Sequence, residues 1–174
     1  MMDKMKVKTL IWQKNILKLI DQRKLPFESI YVNCKTYKDV YDAIKDMVVR
    51  GAPAIGVSAA YGVCIASQEC KTDNIADFRN FLNSSIDYLS KSRPTAVNLF
   101  WALDEMRDII NDKRINSIDS LKDAIEKKAK KIHEEDIDSC LKIGSNSLSL
   151  FDAMSNIRLL THCNAGALAT SGYS

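Results

Sequence analysis

Apolar and polar positions change over short intervals at the start of the chain and settle into helical spacing after residue 36. Val7 to Trp12 and Ile16 to Ile20 are runs rich in β-branched and large apolar residues, and the polar gap Gln13, Lys14, Asn15 has hairpin length. A third run, Ser29 to Asn33, follows the turn marked by Leu25 and Pro26. The pattern predicts a small antiparallel sheet of three strands. From Thr36 the period lengthens: Val40, Ile44 and Met47 or Val48 share one face, and Asp39 three residues after Thr36 suggests a capping box with Asp in place of Glu or Gln. Ala52 to Ala66 is almost wholly apolar, with Pro53 placed to suit a first helical turn. Ala52, Gly56 and Ala60 recur four apart as a stripe of small side chains. Close packing of another backbone on that stripe would offset the roughly 1 kcal/mol that glycine costs in a helix interior. This segment is expected to be the central helix.

Three further helical patterns follow. Asn74 to Leu89 carries the stripe Ile75, Phe78, Leu82, Ile86, Leu89. After the break at Ser92 to Thr95, Thr95 to Asn111 offers the less regular set Val97, Trp101, Leu103 or Asp104, and Ile109. Ser117 to Phe151 repeats Ile118, Leu121, Ile125, Ala129, Ile132, Ile137 and Leu141, with Gly144 expected to end or bend the helix. Asp152 to Asn156 lead into a last apolar run, which reads as a buried strand, a tight turn at Thr161, His162 and Cys163, and the start of a helix. The fold class is therefore α+β: a three-stranded antiparallel sheet plus a helical domain.

Composition narrows the function classes. A chain of 174 residues with 46% hydrophobic and 27% charged residues is a globular protein, one domain or one with a small appendage. A net charge of +3 is too small and too dispersed to imply a nucleic-acid partner. Lys127, Lys128, Lys130 and Lys131 read as a solvated helix face. Five cysteines, odd in number and without CxxC spacing, suggest neither a disulfide framework nor a zinc site, so a reducing, cytoplasmic setting is expected. Met1 to Lys8 lacks the apolar core of a signal peptide, and Ala52 to Ala66 is shorter than the ~20 residues that span a bilayer, so no membrane association is expected.

Candidate chemistry gathers at three places. Cys163 sits where an apolar run meets a helix start, and free backbone N–H groups with the positive end of a helix dipole favour an anion and lower a thiol pKa. Its competing reading is a small buried hydrophobe. His162 is not its evident base, because neighbours on a strand point to opposite faces. Arg50 precedes Gly51, Ala52 and Pro53, and Arg93 precedes Pro94. A forked cation beside a helix N-terminus suits phosphate oxygens, and a surface or salt-bridging role is the alternative for each. His133, Glu134, Glu135 and Asp136 lack the second histidine of a metalloprotease motif and read as solvated helix surface; Cys64 and Cys70 read as core packing.

Four blocks, Asp21 to Pro26 (DQRKLP), Met47 to Gly62 (MVVRGAPAIGVSAAYG), Arg93 to Leu99 (RPTAVNL) and Leu160 to Tyr173 (LTHCNAGALATSGY), closely resemble methylthioribose-1-phosphate isomerases, in that family's order and spacing across nearly all of the chain. The resemblance implies an aldose–ketose isomerase of methionine salvage, converting 5-methylthioribose 1-phosphate to 5-methylthioribulose 1-phosphate. It implies an N-terminal sheet-plus-helices domain, residues 1–155, and the start of a truncated Rossmann-like catalytic domain, residues 156–174. By motif match Cys163 would be the catalytic thiol, acting in proton transfer, and Arg50, Gly51, Ala52 and Arg93 would bind substrate. No metal or organic cofactor is implied, and the full-length family member is expected to be a homodimer. The family's catalytic aspartate, a substrate-binding glutamine and an asparagine–lysine pair belong to a C-terminal domain, and Ser174 stands where the family's pattern has glycine. The expectation is an N-terminal portion whose last strand lacks a parallel partner and is poorly supported, packing against the helices or another chain with its final helix frayed, and with little or no isomerase activity alone. Ribose 1,5-bisphosphate isomerase and the non-catalytic initiation factor 2B regulatory subunits are the alternatives within the same superfamily.

Overall fold

A computed structural model describes residues 8–152, 155–162 and 165–172. The chain opens with three strands, β1 (Leu10–Gln13), β2 (Ile16–Ile20) and β3 (Tyr31–Cys34), paired antiparallel in the order β1-β2-β3. Gln13 faces Ile16, so the hairpin loop is Lys14 and Asn15 alone, and both take the left-handed conformation that a tight primed turn requires (φ 52° and 59°). Register places Leu10 opposite Leu19 and Leu17 opposite Cys34, all four buried, which makes one face of the sheet apolar.

Thr36 caps α1 (Tyr37–Lys45) as the spacing predicts. Its hydroxyl accepts from the Asp39 N–H at 3.0 Å, and Asp39 Oδ2 accepts from the Thr36 N–H at 2.8 Å. The shorter aspartate therefore serves in the box. Thr36→Ala is expected to lower stability by about 1 kcal/mol, read as a shift in urea midpoint with unchanged slope.

The helix α2 (Ala52–Glu69) is buried from Ala54 to Ser67 and is the axis of the domain. A helix apolar on all sides must be covered on all sides. The sheet, α1, α3 (Ile75–Ser90), α4 (Val97–Asn111) and α5 (Ile118–Leu148) provide that cover. Gly56 bears out the small-residue stripe: a methyl there would stand 2.7 Å from the Asn98 carbonyl oxygen of α4. Trp12 stacks on Tyr61 with ring centroids 4.7 Å apart and donates from Nε1 to Glu126 at 3.0 Å, tying sheet, α2 and α5 together.

Several expectations are corrected. The helix α5 runs through Gly144 to Leu148, because its C-terminal half is largely solvent-exposed and nothing crowds the glycine into a bend. The buried face of α4 is Leu99, Ala102, Leu103, Met106 and Ile110, while Val97 and Trp101 point outward. The run 157–160 is not buried: Leu160 is 98% exposed, and no strand among the described residues pairs with it. An apolar strand needs neighbours on both edges and layers on both faces, and none stand there. In place of a helix start, residues 167–169 form a turn closed by the Ala169 N–H on the Gly166 carbonyl at 2.8 Å.

Candidate functional site

The four blocks that carry the resemblance converge. Arg50 ends the short connection from α1, and Gly51 is the N-cap of α2. Arg93, in the connection from α3 to α4, donates from Nη1 to the Arg50 carbonyl at 3.3 Å, so the two cationic residues are neighbours though 43 positions apart. Arg50 and Ala52 are exposed and Gly51 is buried. Gly51 is buried because the turn 166–169 lies on it: a Cβ at Gly51 would stand 2.1 Å from Ala169 Cα. The Asp21–Pro26 block joins through Gln22, whose N–H donates to the Val48 carbonyl at 3.1 Å and whose Nε2 donates to the Leu168 carbonyl at 2.7 Å.

The electrostatics at the N-terminus of α2 are specific. No side chain caps the helix, and Pro53 has no N–H to offer. The Ala54 N–H is taken by the Ala169 carbonyl at 3.2 Å, so the donors expected to greet an anion are partly occupied by the chain itself. What remains unoccupied is the exposed N-terminal edge at Ala52, with the Arg93 guanidinium on the Arg50 carbonyl. Cys163, the remaining site candidate, lies outside the described residues. Its neighbours Thr161 and His162 are exposed.

Gln22 and Asp136 were given no role by the sequence pattern. The signal for Gln22 is a polar residue two positions after an apolar strand, inside the Asp21–Pro26 block, and it is 8% exposed. Asp21 beside it is held by Arg23 through contacts of 2.8 and 2.7 Å, and those hydrogen bonds keep its carboxyl below the usual range. Asp136 accepts from the Ser171 N–H at 2.7 Å. His133 is half-buried, with Nδ1 3.0 Å from the Tyr61 hydroxyl, and burial lowers its pKa. The reading of His133 and Asp136 as solvated surface is thereby corrected: one face of α5 turns inward at this level. Burial also pushes the Cys34 thiol up to about 12 and raises that of Cys64, as fits core cysteines. Among the described residues no group of His, Cys, Asp and Glu could hold a metal ion, and no helix is long and apolar enough to cross a membrane.

A sheet-backed helical module with a buried axial helix, an Arg-Gly turn at its head and a second arginine alongside is the class of structure defined so far. The model of the initiation factor 2 subunit family matches residues 48–171, and the chain belongs to that family. It is 46% identical over 170 residues to a methylthioribose-1-phosphate isomerase of Thermotoga neapolitana, covering 98% of this chain and 48% of the relative. It is 47% identical over 164 residues to a 5-deoxyribose 1-phosphate isomerase of Clostridium botulinum (strain Loch Maree / Type A3), covering 93% and 46%. Among solved structures it is similar to the 5-methylthioribose 1-phosphate isomerase of Pyrococcus horikoshii OT3 (TM-score 0.87, 34% identity, 95% of this chain and 46% of that one). It is also similar to the translation initiation factor eIF-2B, subunit delta, from A. fulgidus (TM-score 0.82, 34% identity, 95% and 47%). The chain spans about half the length of the relatives it matches.

Proposed function

We propose that the chain supplies the phosphate-binding side and the reacting thiol of an aldose–ketose isomerase acting on 5-methylthioribose 1-phosphate. The observation that carries the reading is the meeting of Arg50, Gly51, Ala52 and Arg93 at one helix head, in a chain 46% identical to an isomerase of that substrate. Arg50 and Arg93 hold the phosphate, with Gly51 and Ala52 against it. In the reaction the bond from C1 to the ring oxygen breaks, hydrogen moves from C2 to C1, and the C2 hydroxyl becomes the carbonyl. The proton given up by that hydroxyl balances the one gained by the ring oxygen, so no external oxidant or reductant enters. Cys163 takes part in the proton transfer. The working enzyme is a homodimer in the cytoplasm, and residues 156–174 open its second, Rossmann-like domain.

The 5-deoxyribose 1-phosphate relatives are as similar in sequence, so a second pentose 1-phosphate is a specific alternative substrate. A regulatory role is favoured less: the isomerase and factor structures are equally identical to this chain, but the sequence relatives at 46–47% identity are isomerases. Calorimetric titration of this chain with the two pentose 1-phosphates tests the phosphate site. Arg50→Ala and Arg93→Ala are each expected to weaken binding about tenfold or more, as loss of a charge-assisted contact does. Equal, weak binding by the wild type and both variants would overturn the reading.

A further inference from the structure

The C-terminal half of α5 carries apolar side chains that no described residue covers. Ile137, Leu141, Gly144 and Leu148 follow the alternating four- and three-residue spacing of a helix-packing seam, so they share one face of the helix. Leu141 is 47% exposed, Leu148 is 66% exposed, and a Cβ at Gly144 would meet nothing within 4 Å. A contiguous apolar row left in water marks a contact site. The stripe that buries the first half of α5, Leu121, Ile125, Ala129 and Ile132, lies on another side of the helix, so the seam is not an extension of the core face.

The path of the chain indicates what covers this face. Thr9, just before β1, donates its hydroxyl to the Ala167 carbonyl, and Gln22 holds the Leu168 carbonyl, which fixes the direction of the segment that follows. Residues 170–172 then come down on α5 at the head of the seam. The Ser171 N–H donates to Asp136 at 2.7 Å, and a hydrogen bond joins Thr170 to Cys140. Gly172 lines a cavity of about 430 Å³ together with Trp12, Tyr61, His133 and Ile137, the first residue of the seam. Polypeptide continuing from Gly172 is therefore delivered to the open face of α5. In the Thermotoga neapolitana relative this chain matches 48% of the length, so about as much polypeptide again lies outside the match.

We propose that Ile137, Leu141, Gly144 and Leu148 form the docking face for the half of the isomerase relative that this chain does not match, entered at the cavity beside Ile137. The inference rests on family membership and not on the phosphate site. Its test needs no substrate, so the two readings fail separately.

The test co-expresses this chain with the unmatched half of the Thermotoga neapolitana relative, the latter carrying an affinity tag, and reads the complex by co-purification and light scattering. A one-to-one complex is expected, with amide exchange over 137–148 slowed about tenfold or more relative to the free chain. Leu141→Asp should lower the recovered complex about tenfold or more, the loss typical of a buried anchor. Ile143→Asp alters an exposed apolar side chain on another side of α5 and should leave the complex unchanged. Should Leu141→Asp lower the thermal midpoint of the free chain, Leu148→Asp, at a more exposed position of the same seam, takes its place. No complex with the wild-type chain, or equal losses in the seam variant and Ile143→Asp, overturns the proposal. A dimer of this chain alone that the seam variant dissociates also overturns it, because the face would then serve a second copy.

Discussion

Gly51→Val is expected to cost the chain about 1–3 kcal/mol and to strip residues 166–172 from the head of α2. The backbone at Gly51 (φ −71°, ψ 141°) suits any residue, so the effect is one of space alone. The first carbon of any side chain would stand 2.1 Å from Ala169 Cα, 2.2 Å from its oxygen and 2.5 Å from its carbonyl carbon. All three are main-chain atoms that no rotamer change can clear. Either the turn 166–169 lifts off, releasing the Ala54, Gln22 and Thr9 bonds together, or α2 moves and disturbs the core. The first is cheaper, because the segment beyond Gly166 is joined through those bonds and the Ser171–Asp136 bond and is not part of the apolar core cluster. Thermal unfolding with amide exchange distinguishes them: fast exchange confined to 165–172 means the turn has lifted, and faster exchange in α2 means the helix has moved. Gly51→Ala should do nearly as much, since Cβ alone makes the clash. An alanine variant with wild-type midpoint and exchange would mean that the turn does not rest on Gly51 in solution.

That contact shows which parts of the molecule were legible in the sequence. The hairpin, the Thr36 capping box and the buried axial helix follow from local chemistry: two residues between strands, a hydroxyl with a carboxylate three positions on, and apolar side chains all round a helix. The face of α4 did not follow. Trp101 is 47% exposed although its size invites burial, and the alternative stripe Leu99, Ala102, Leu103, Met106 is the buried one, with Ala102 beside Gly56. Reading that stripe required knowing that a neighbouring helix offers a glycine at the crossing. His133 and Asp136 were misread for a similar reason. A charged run is solvated unless another segment returns to it, and Ser171, 35 residues after Asp136, returns. The run 157–160 carried the pattern of a buried strand, but a pattern specifies burial only when partners stand on its edges and faces.

The candidate site was legible as residues but not as a contact. Arg50 and Arg93 each precede a proline-containing start, and either alone is ordinary. The bond from Arg93 to the Arg50 carbonyl exists because α4 crosses α2 closely enough for the two connections to meet. That closeness is set at Gly56, one turn into the axial helix, and the same residue governs the second large effect.

Gly56→Val is expected to destabilise the chain by about 3 kcal/mol, the upper part of the overpacking range, and to weaken pentose-phosphate binding. A Cβ at Gly56 would stand 2.7 Å from the Asn98 carbonyl oxygen, 3.3 Å from its carbon and 3.5 Å from Ala102 Cβ. Replacing a helical glycine returns up to about 1 kcal/mol of propensity, which cannot offset main-chain overlap in an interior that does not yield. The relief available is a shift of the α4 N-terminus away from α2, carrying Arg93 from Arg50. Gly62 is the internal control. It lies in the same helix and is also buried, but a Cβ there meets Leu89 and Val40 methyl groups at 3.2 Å, which are side-chain atoms that can turn. Gly62→Ala should therefore lie within about 1 kcal/mol of the wild type, with propensity opposing a mild squeeze. Urea unfolding of the two variants, with pentose-phosphate titration, sets the comparison. Equal losses of stability would mean that the helix crossing at Asn98 is no tighter than ordinary side-chain packing. A large loss at Gly56 without loss of binding would mean that the spacing of α2 and α4 does not control the meeting of Arg50 and Arg93.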